Sequence, residues 1–306
     1  MARGIVGDAF MHKSSVGDIL RHKVKMHDAR TQGISGNKYT KDRDMGPMIV
    51  LVNSLRRDIK IQQDFIQQNK SMVKLKLGAK EEAIKSIQRE AERFKESLVL
   101  FNDGDVTKSA TPFLMECRQH MKMIEQAGNS KVGNSYIFGG TITNIPPFDL
   151  SKVVDGLDPF AGANIDYYNG NSITTPIAID TNDNLDSDLL GSHPAFENLV
   201  RALKIINDPS IQASDDRAKQ AQNLVDTAID ELSGLISQVG AETERVDNLI
   251  EAREDYLLFF SEKHDEMVGA DQFEVMSKFM EYQNSLTLAY ETMARFSEMS
   301  LANFLK

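Results

Sequence analysis

The chain has 306 residues, of which 41% are hydrophobic, 26% charged and only 7% aromatic, with no tryptophan and a net charge of −10. That length accommodates one to three domains with ample apolar material for a core, and the composition suits long amphipathic helices better than a thick globular enzyme. The acidic balance argues against a generic nucleic-acid surface, and the single cysteine, Cys117, excludes an internal disulfide and a multi-cysteine zinc site.

The opening MARGIVGDAFMHKSSVGDIL holds no uninterrupted apolar run of signal-peptide length, and no later segment approaches a membrane span. This predicts a cytosolic protein, or one that leaves the cell by a route that reads no cleavable signal. Val16, Ile19, Leu20, Val24 and Met26 form a short apolar stripe broken by basic residues. GISGNKYT, Gly33 to Thr40, follows it. The stretch lacks the GxxxxGK spacing of a phosphate loop, and its SxxK match at Ser35 and Lys38 has no supporting motif, so it reads as a solvated loop.

After Pro47, as far as Asp103, there is no proline and one glycine, Gly78. Val73, Leu77, Lys80, Ile84, Ile87, Ala91, Phe94, Leu98 and Phe101 recur at alternating steps of four and three, which is a heptad seam. Val52, Leu55, Ile59 and Ile66 extend it backwards. The pattern predicts one very long helix. A further helix is predicted from about Thr107 to Asn129, capped near Thr107 or Ser109 and closed by Gly128 to Gly133. Cys117, within FLMECRQHM, reads as a small buried helix residue.

Residues 134 to 194 change period. NSYIFGGT, NIDYYNGN and SITTPIAID are short β-prone runs punctuated by glycine, asparagine, aspartate and proline. They predict a small β-rich insertion. Gly139-Gly140 precedes TITNIPPF, which does not start a helix, so the pair is no phosphate cradle. DTNDNLDSDLLG, Asp180 to Gly191, begins like a calcium loop but carries Leu185 where the turning glycine belongs and Gly191 where the bidentate glutamate belongs.

Helix resumes at AFENLVRALKIIND. A second seam then runs through Val225, Ile229, Leu232, Ile236, Val239, Thr243, Val246, Ile250, Arg253, Leu257, Phe260, His264 and Met267. Two long amphipathic segments far apart in sequence predict an antiparallel coiled helical bundle, with the insertion between its halves. The last helix, Phe273 to Lys306, bears Phe279, Tyr282, Leu286, Tyr290, Met293 and Phe296 on one stripe and ends SLANFLK with Leu301, Phe304 and Leu305. Because the bundle is already occupied, both terminal stripes read as helices ordered by assembly with other subunits. None of the histidines, His12, His22, His27, His120, His193 and His264, is paired at i, i+4, and no acid–base constellation or cofactor site emerges.

These landmarks together resemble the flagellin superfamily, and within it the hook-associated proteins of the hook–filament junction, the FlgL type. GISGNKYTKDRDMGP is similar to the loop between that family's first two helices, with Gly36, Lys38, Asp42, Asp44 and Pro47 in a diverged version. GNSYIFGGT with Pro147 and Phe148, IDYYNGN and GSHPAFENL follow in the family's order, and Gly240-Ala241 resembles the turn of its long C-terminal helix. Glu242 to Arg245 and the opening MARGIVGDAFMHKS depart from it.

The resemblance implies a mainly α protein, not an enzyme, with no cofactor or metal. It implies an adaptor at the hook–filament junction, self-assembled helically and touching a neighbouring hook-associated protein and flagellin. It further implies export by the flagellar type III route with a chaperone to an extracellular flagellum, without binding nucleic acid or inserting in a membrane. The implied parts are an N-terminal assembly helix and loop (1–44), two bundle halves (45–133 and 195–270), a β-rich inserted domain (134–194) and a C-terminal assembly helix (271–306). The assembly residues would be Leu20, Val24, Met26, Phe279, Tyr282, Leu286, Tyr290, Met293, Phe296, Leu301, Phe304 and Leu305. A filament-forming flagellin, or a secreted coiled-coil adhesin or effector, would share many of these features.

Overall fold

The computed structural model describes residues 2–103, 111–174, 176–180, 183–185, 189–212 and 216–304, with side chains described from 13 to 295. Seven helices carry the described chain: α1 (Ala2–Ser35), α2 (Ile49–Gln68), α3 (Lys74–Asn102), α4 (Thr111–Gly128), α5 (Pro194–Ile206), α6 (Asp216–Val268) and α7 (Gln272–Phe304). The fold is mainly α, as the periodicity predicts. It divides into two compact units, Met1–Gln62 with Asp255–Lys306, and Gln63–Glu254.

In the larger unit both seams are buried or half-buried. Val73, Leu77, Ile84, Ile87, Ala91, Phe94 and Leu98 on α3 share one apolar core with Val225, Leu232, Val239, Val246 and Ile250 on α6. Polar pairs fix the register. Lys74 pairs with Asp247 at 2.7 Å, Gln88 donates to Ser233 at 2.8 Å, and Lys95 pairs with Asp226 at 2.7 Å. Numbers rise on one helix as they fall on the other, so α3 and α6 are antiparallel. The α4 helix packs on α3, where Glu90 accepts from Arg93 at 2.6 Å and meets His120 Nδ1 at 3.1 Å. The cap predicted at Thr107 or Ser109 lies outside the described residues.

The predicted single helix from Met45 is interrupted. A 3₁₀ stretch covers Asp42–Met48, and a wide π turn, Asn69–Val73, separates α2 from α3. The inward-facing series, buried except for the half-buried Ile66, runs 62, 66, 69, 73, 77, 80, so two four-residue steps stand side by side, and a π turn absorbs the extra residue. Asn69 is fully buried and donates its amide to the Ile179 carbonyl at 2.9 Å.

The insertion carries short antiparallel strands among its described residues, as its residues suggest. Lys131–Val132 (β1) pairs antiparallel with Ser135–Tyr136 (β2), and Ile177–Asp180 (β3) with Asp183–Leu185 (β4). NIDYYNGN contributes an isolated bridge, Tyr168 to Phe148. What orders the segment is a knot of rings: Phe148 lies 5.5 Å from Tyr167, 5.6 Å from Phe196 and 6.3 Å from Phe138 between centroids. Asn129, just past α4, both donates to and accepts from the Phe148 backbone at 2.9 Å. The Gly139-Gly140 pair makes a turn. Gly140 has φ +67°, and a side chain there would strike Asn171, so only glycine fits. These rings belong to the same core as the α3 and α6 seams.

In the smaller unit α1 and α7 pack along each other, which corrects the reading that the terminal stripes find no partner within the chain. The segment after α1 is tied to the α6–α7 junction. Lys38 donates its backbone N–H to Val268 O, and Ala270 N–H donates to Gly36 O, both at 2.7 Å. Gly36 turns the chain there with φ +71°, a left-handed conformation that side chains resist. Met45, Val52 and Val268 form a small core beside this junction.

Candidate assembly surface

The antiparallel α1–α7 pair is the place to which the sequence assigns assembly. Lys25 lies over the Tyr282 ring at 5.6 Å and Lys23 over the Tyr290 ring at 5.8 Å, cation–π contacts that stitch the helices side by side. Nearer the turn, Gly33 lets Val275 come close: a side-chain carbon on Gly33 would sit 3.4 Å from Val275. Ala29, Gly33, Val275 and Phe279 line a groove of about 230 Å³ between the two helices.

At about 100° per residue, α7 has two apolar faces. Val275, Phe279, Tyr282, Leu286 and Met293 share one face, buried or half-buried beside α1. Phe273, Met276, Met280 and Leu288 share another, and all four are exposed, Phe273 at 85%. The sequence reading named the first face and missed the second. A signal for it exists in the three-four spacing of Phe273, Met276 and Met280. The stripe on α1 divides too. Met26 lies half-buried near the side of Ile19 and Ala29, whereas Leu20, Val24 and Ile34 point out, with Leu20 58% exposed. Tyr290 is 44% exposed beneath Lys23. Phe296, Leu301 and Phe304 stand on α7 with side chains outside the described set, and Leu305 lies outside the described residues.

Elsewhere the candidate chemistry is occupied by structure. Cys117 is fully buried 3.6 Å from the Leu203 carbonyl, and burial pushes its thiol up to about 12, which leaves no thiolate at neutral pH. Asp180 pairs with Arg253, which also lies over the Phe65 ring at 5.3 Å. Asp183 pairs with Arg245 at 2.5 Å. Both acids of the calcium-like run that the structure describes thus hold a β hairpin to α6. Ser35 accepts from Asn37 N–H at 3.2 Å while Lys38 reaches the Glu266 carbonyl at 3.4 Å, so the SxxK residues act separately. His264 stands beside Asp265 at 3.2 Å. Among the described residues no group of three or more His, Cys, Asp and Glu could hold a metal ion, and no helix is long and apolar enough to cross a membrane.

The fold is shared with a solved structure. A protein described as flagellar hook-associated, from Vibrio parahaemolyticus, superposes with a TM-score of 0.59 at 16% identity, covering 72% of this chain and 97% of that one. FlgL from Bacillus cereus matches at 16% identity with a TM-score of 0.44, covering 71% of this chain and 97% of that one. No family model and no curated protein matches the sequence. At this identity the first likeness establishes a common fold.

Proposed function

We propose that this chain is a structural subunit of the bacterial flagellum, an adaptor at the hook–filament junction that assembles helically through its α1–α7 unit. A fold by itself does not fix a function. The observation that carries the reading is the fold shared with the Vibrio protein, joined to the ordered run of sequence landmarks from Gly36 to Ala241. The exposed rows Phe273, Met276, Met280 and Leu288 on α7, and Leu20, Val24 and Ile34 on α1, supply apolar surface for neighbouring subunits. In this reading the neighbours are other copies of the chain, a further hook-associated protein and flagellin. A chaperone accompanies export, no signal peptide is cleaved, and the protein performs no catalysis.

Electron microscopy of purified flagella with a gold label on this chain tests the reading. A ring of label where hook meets filament is the expected result. Label along the whole filament would make it a flagellin instead, and unlabelled flagella would remove it from the organelle.

A further inference from the structure

A cleft of about 630 Å³ opens on the larger unit, and among the described residues its lining contains no carboxylate, although acidic residues outnumber basic ones 45 to 35 in the chain. One wall is helical: Gln68, Met72, Lys76 and Lys80. In an uninterrupted α-helix Gln68 and Lys80 would point about 120° apart; the π turn takes up one residue and brings them within about 20° of a single face. The wide turn thus builds this wall. The opposite wall is mainly apolar, with Ile137, Ile177 and Leu190.

Two ammonium groups stand on the helical wall. Lys80 is 7% exposed at the α3–α6 seam, and burial pulls it down to about 8 against the favourable charge of Glu242. Lys76, one turn away, lines the cleft half-buried and forms no ion pair among the described residues. Two cations against Glu242 leave a single positive surplus beside an apolar wall. A phosphate dianion is better served by arginine forks or converging backbone amides, and no arginine lines this cleft. A monoanion with a greasy body matches both features, and the volume lies in the range of small-molecule sites.

We propose that the cleft binds a small organic carboxylate, its charged end at Lys76 and Lys80 and its apolar body against Ile137, Ile177 and Leu190. The inference is independent of the flagellar reading. Benzoate is the probe, benzyl alcohol its uncharged counterpart and inorganic phosphate the control, each titrated into the full-length protein and followed by NMR and calorimetry. Benzoate is expected to shift resonances of cleft residues, and to bind at least about tenfold more tightly than benzyl alcohol or phosphate. Lys76→Met should weaken benzoate about tenfold without changing the alcohol, and Ile177→Asp, which places a carboxylate in the wall, should abolish benzoate binding. Unchanged circular dichroism spectra confirm that both variants are folded. Equal binding of benzoate and the alcohol, equal binding of phosphate, shifts elsewhere, or an unaffected Lys76→Met would each overturn the proposal.

Discussion

Replacing Phe148 by alanine asks whether the insertion is an appendage or part of the bundle. Its side chain is 1% exposed and packs among Tyr167, Phe196 and Phe138. Phe196 is carried by α5, so the cavity left behind would open where insertion and helices meet. Large-to-small changes at such sites cost about 3–5 kcal/mol. For a unit the size of residues 63–254, each kcal/mol lowers the melting temperature by roughly 2–4 °C. A loss of about 10 °C is expected. Circular dichroism at 222 nm follows the helices, and tyrosine fluorescence, measured in a background with Tyr39, Tyr256, Tyr282 and Tyr290 changed to phenylalanine, follows the insertion through Tyr136, Tyr167 and Tyr168. If one core unites them, both signals should fall together at the lower temperature. A helix transition unchanged from the parent, with only the tyrosine signal loosened, would refute the continuous core and make residues 134–194 a separate module.

Three more outcomes follow from the geometry. Lys80 has its pKa lowered by burial from 10.5 to about 8, so between these values the unfolded chain binds the extra proton and stability rises with pH; below pH 8 the charged lysine costs on the order of 3 kcal/mol, and Lys80→Met should flatten the rise in urea melts between pH 8 and 10. The thiol of Cys117, buried and pushed up to about 12, should resist iodoacetamide at pH 8 and react fully in urea; fast labelling of the folded protein would contradict its burial. Val275→Asp places a charge against Gly33 in the α1–α7 contact and removes roughly 1.5 kcal/mol or more of burial, so protease should cut both terminal helices faster while residues 63–254 melt as before; unchanged cutting would mean the pair does not depend on this face.

The seams were legible because they are local and periodic. Every member from Val73 to Leu98 is buried, and even Lys80, which breaks the apolar series, keeps its place. The π turn was not legible, because its cause lies about 110 residues away: Asn69 is buried so that its amide can meet Ile179 O, and no local pattern marks an asparagine as a core residue. The insertion's short strands were legible from propensity, whereas the packing of its rings depends on tertiary context. There Phe138, Phe148 and Tyr167 also form a ring cluster, which no local pattern announces. At the ends, the stripes themselves were visible. Their pairing was not, since periodicity says that a face is apolar and leaves open what covers it. The turn that aligns α1 with α7 is closed by backbone bonds between Gly36 and Ala270 and between Lys38 and Val268.

Those two backbone bonds also set an order in time. On a ribosome α1 emerges early and then waits while all of residues 63–254 are made, because the groups that Gly36 and Lys38 meet, and the helix that covers Ile19 and Ala29, come afterwards. The larger unit holds its own core and can close before the smaller one has its second half. Contacts across so long a stretch carry the highest loop-closure cost and form slowly. The smaller unit is therefore the last part of the chain to be completed, and a newly made molecule passes through a stage in which the stripe of Ile19 and Ala29 exists with nothing yet made to cover it.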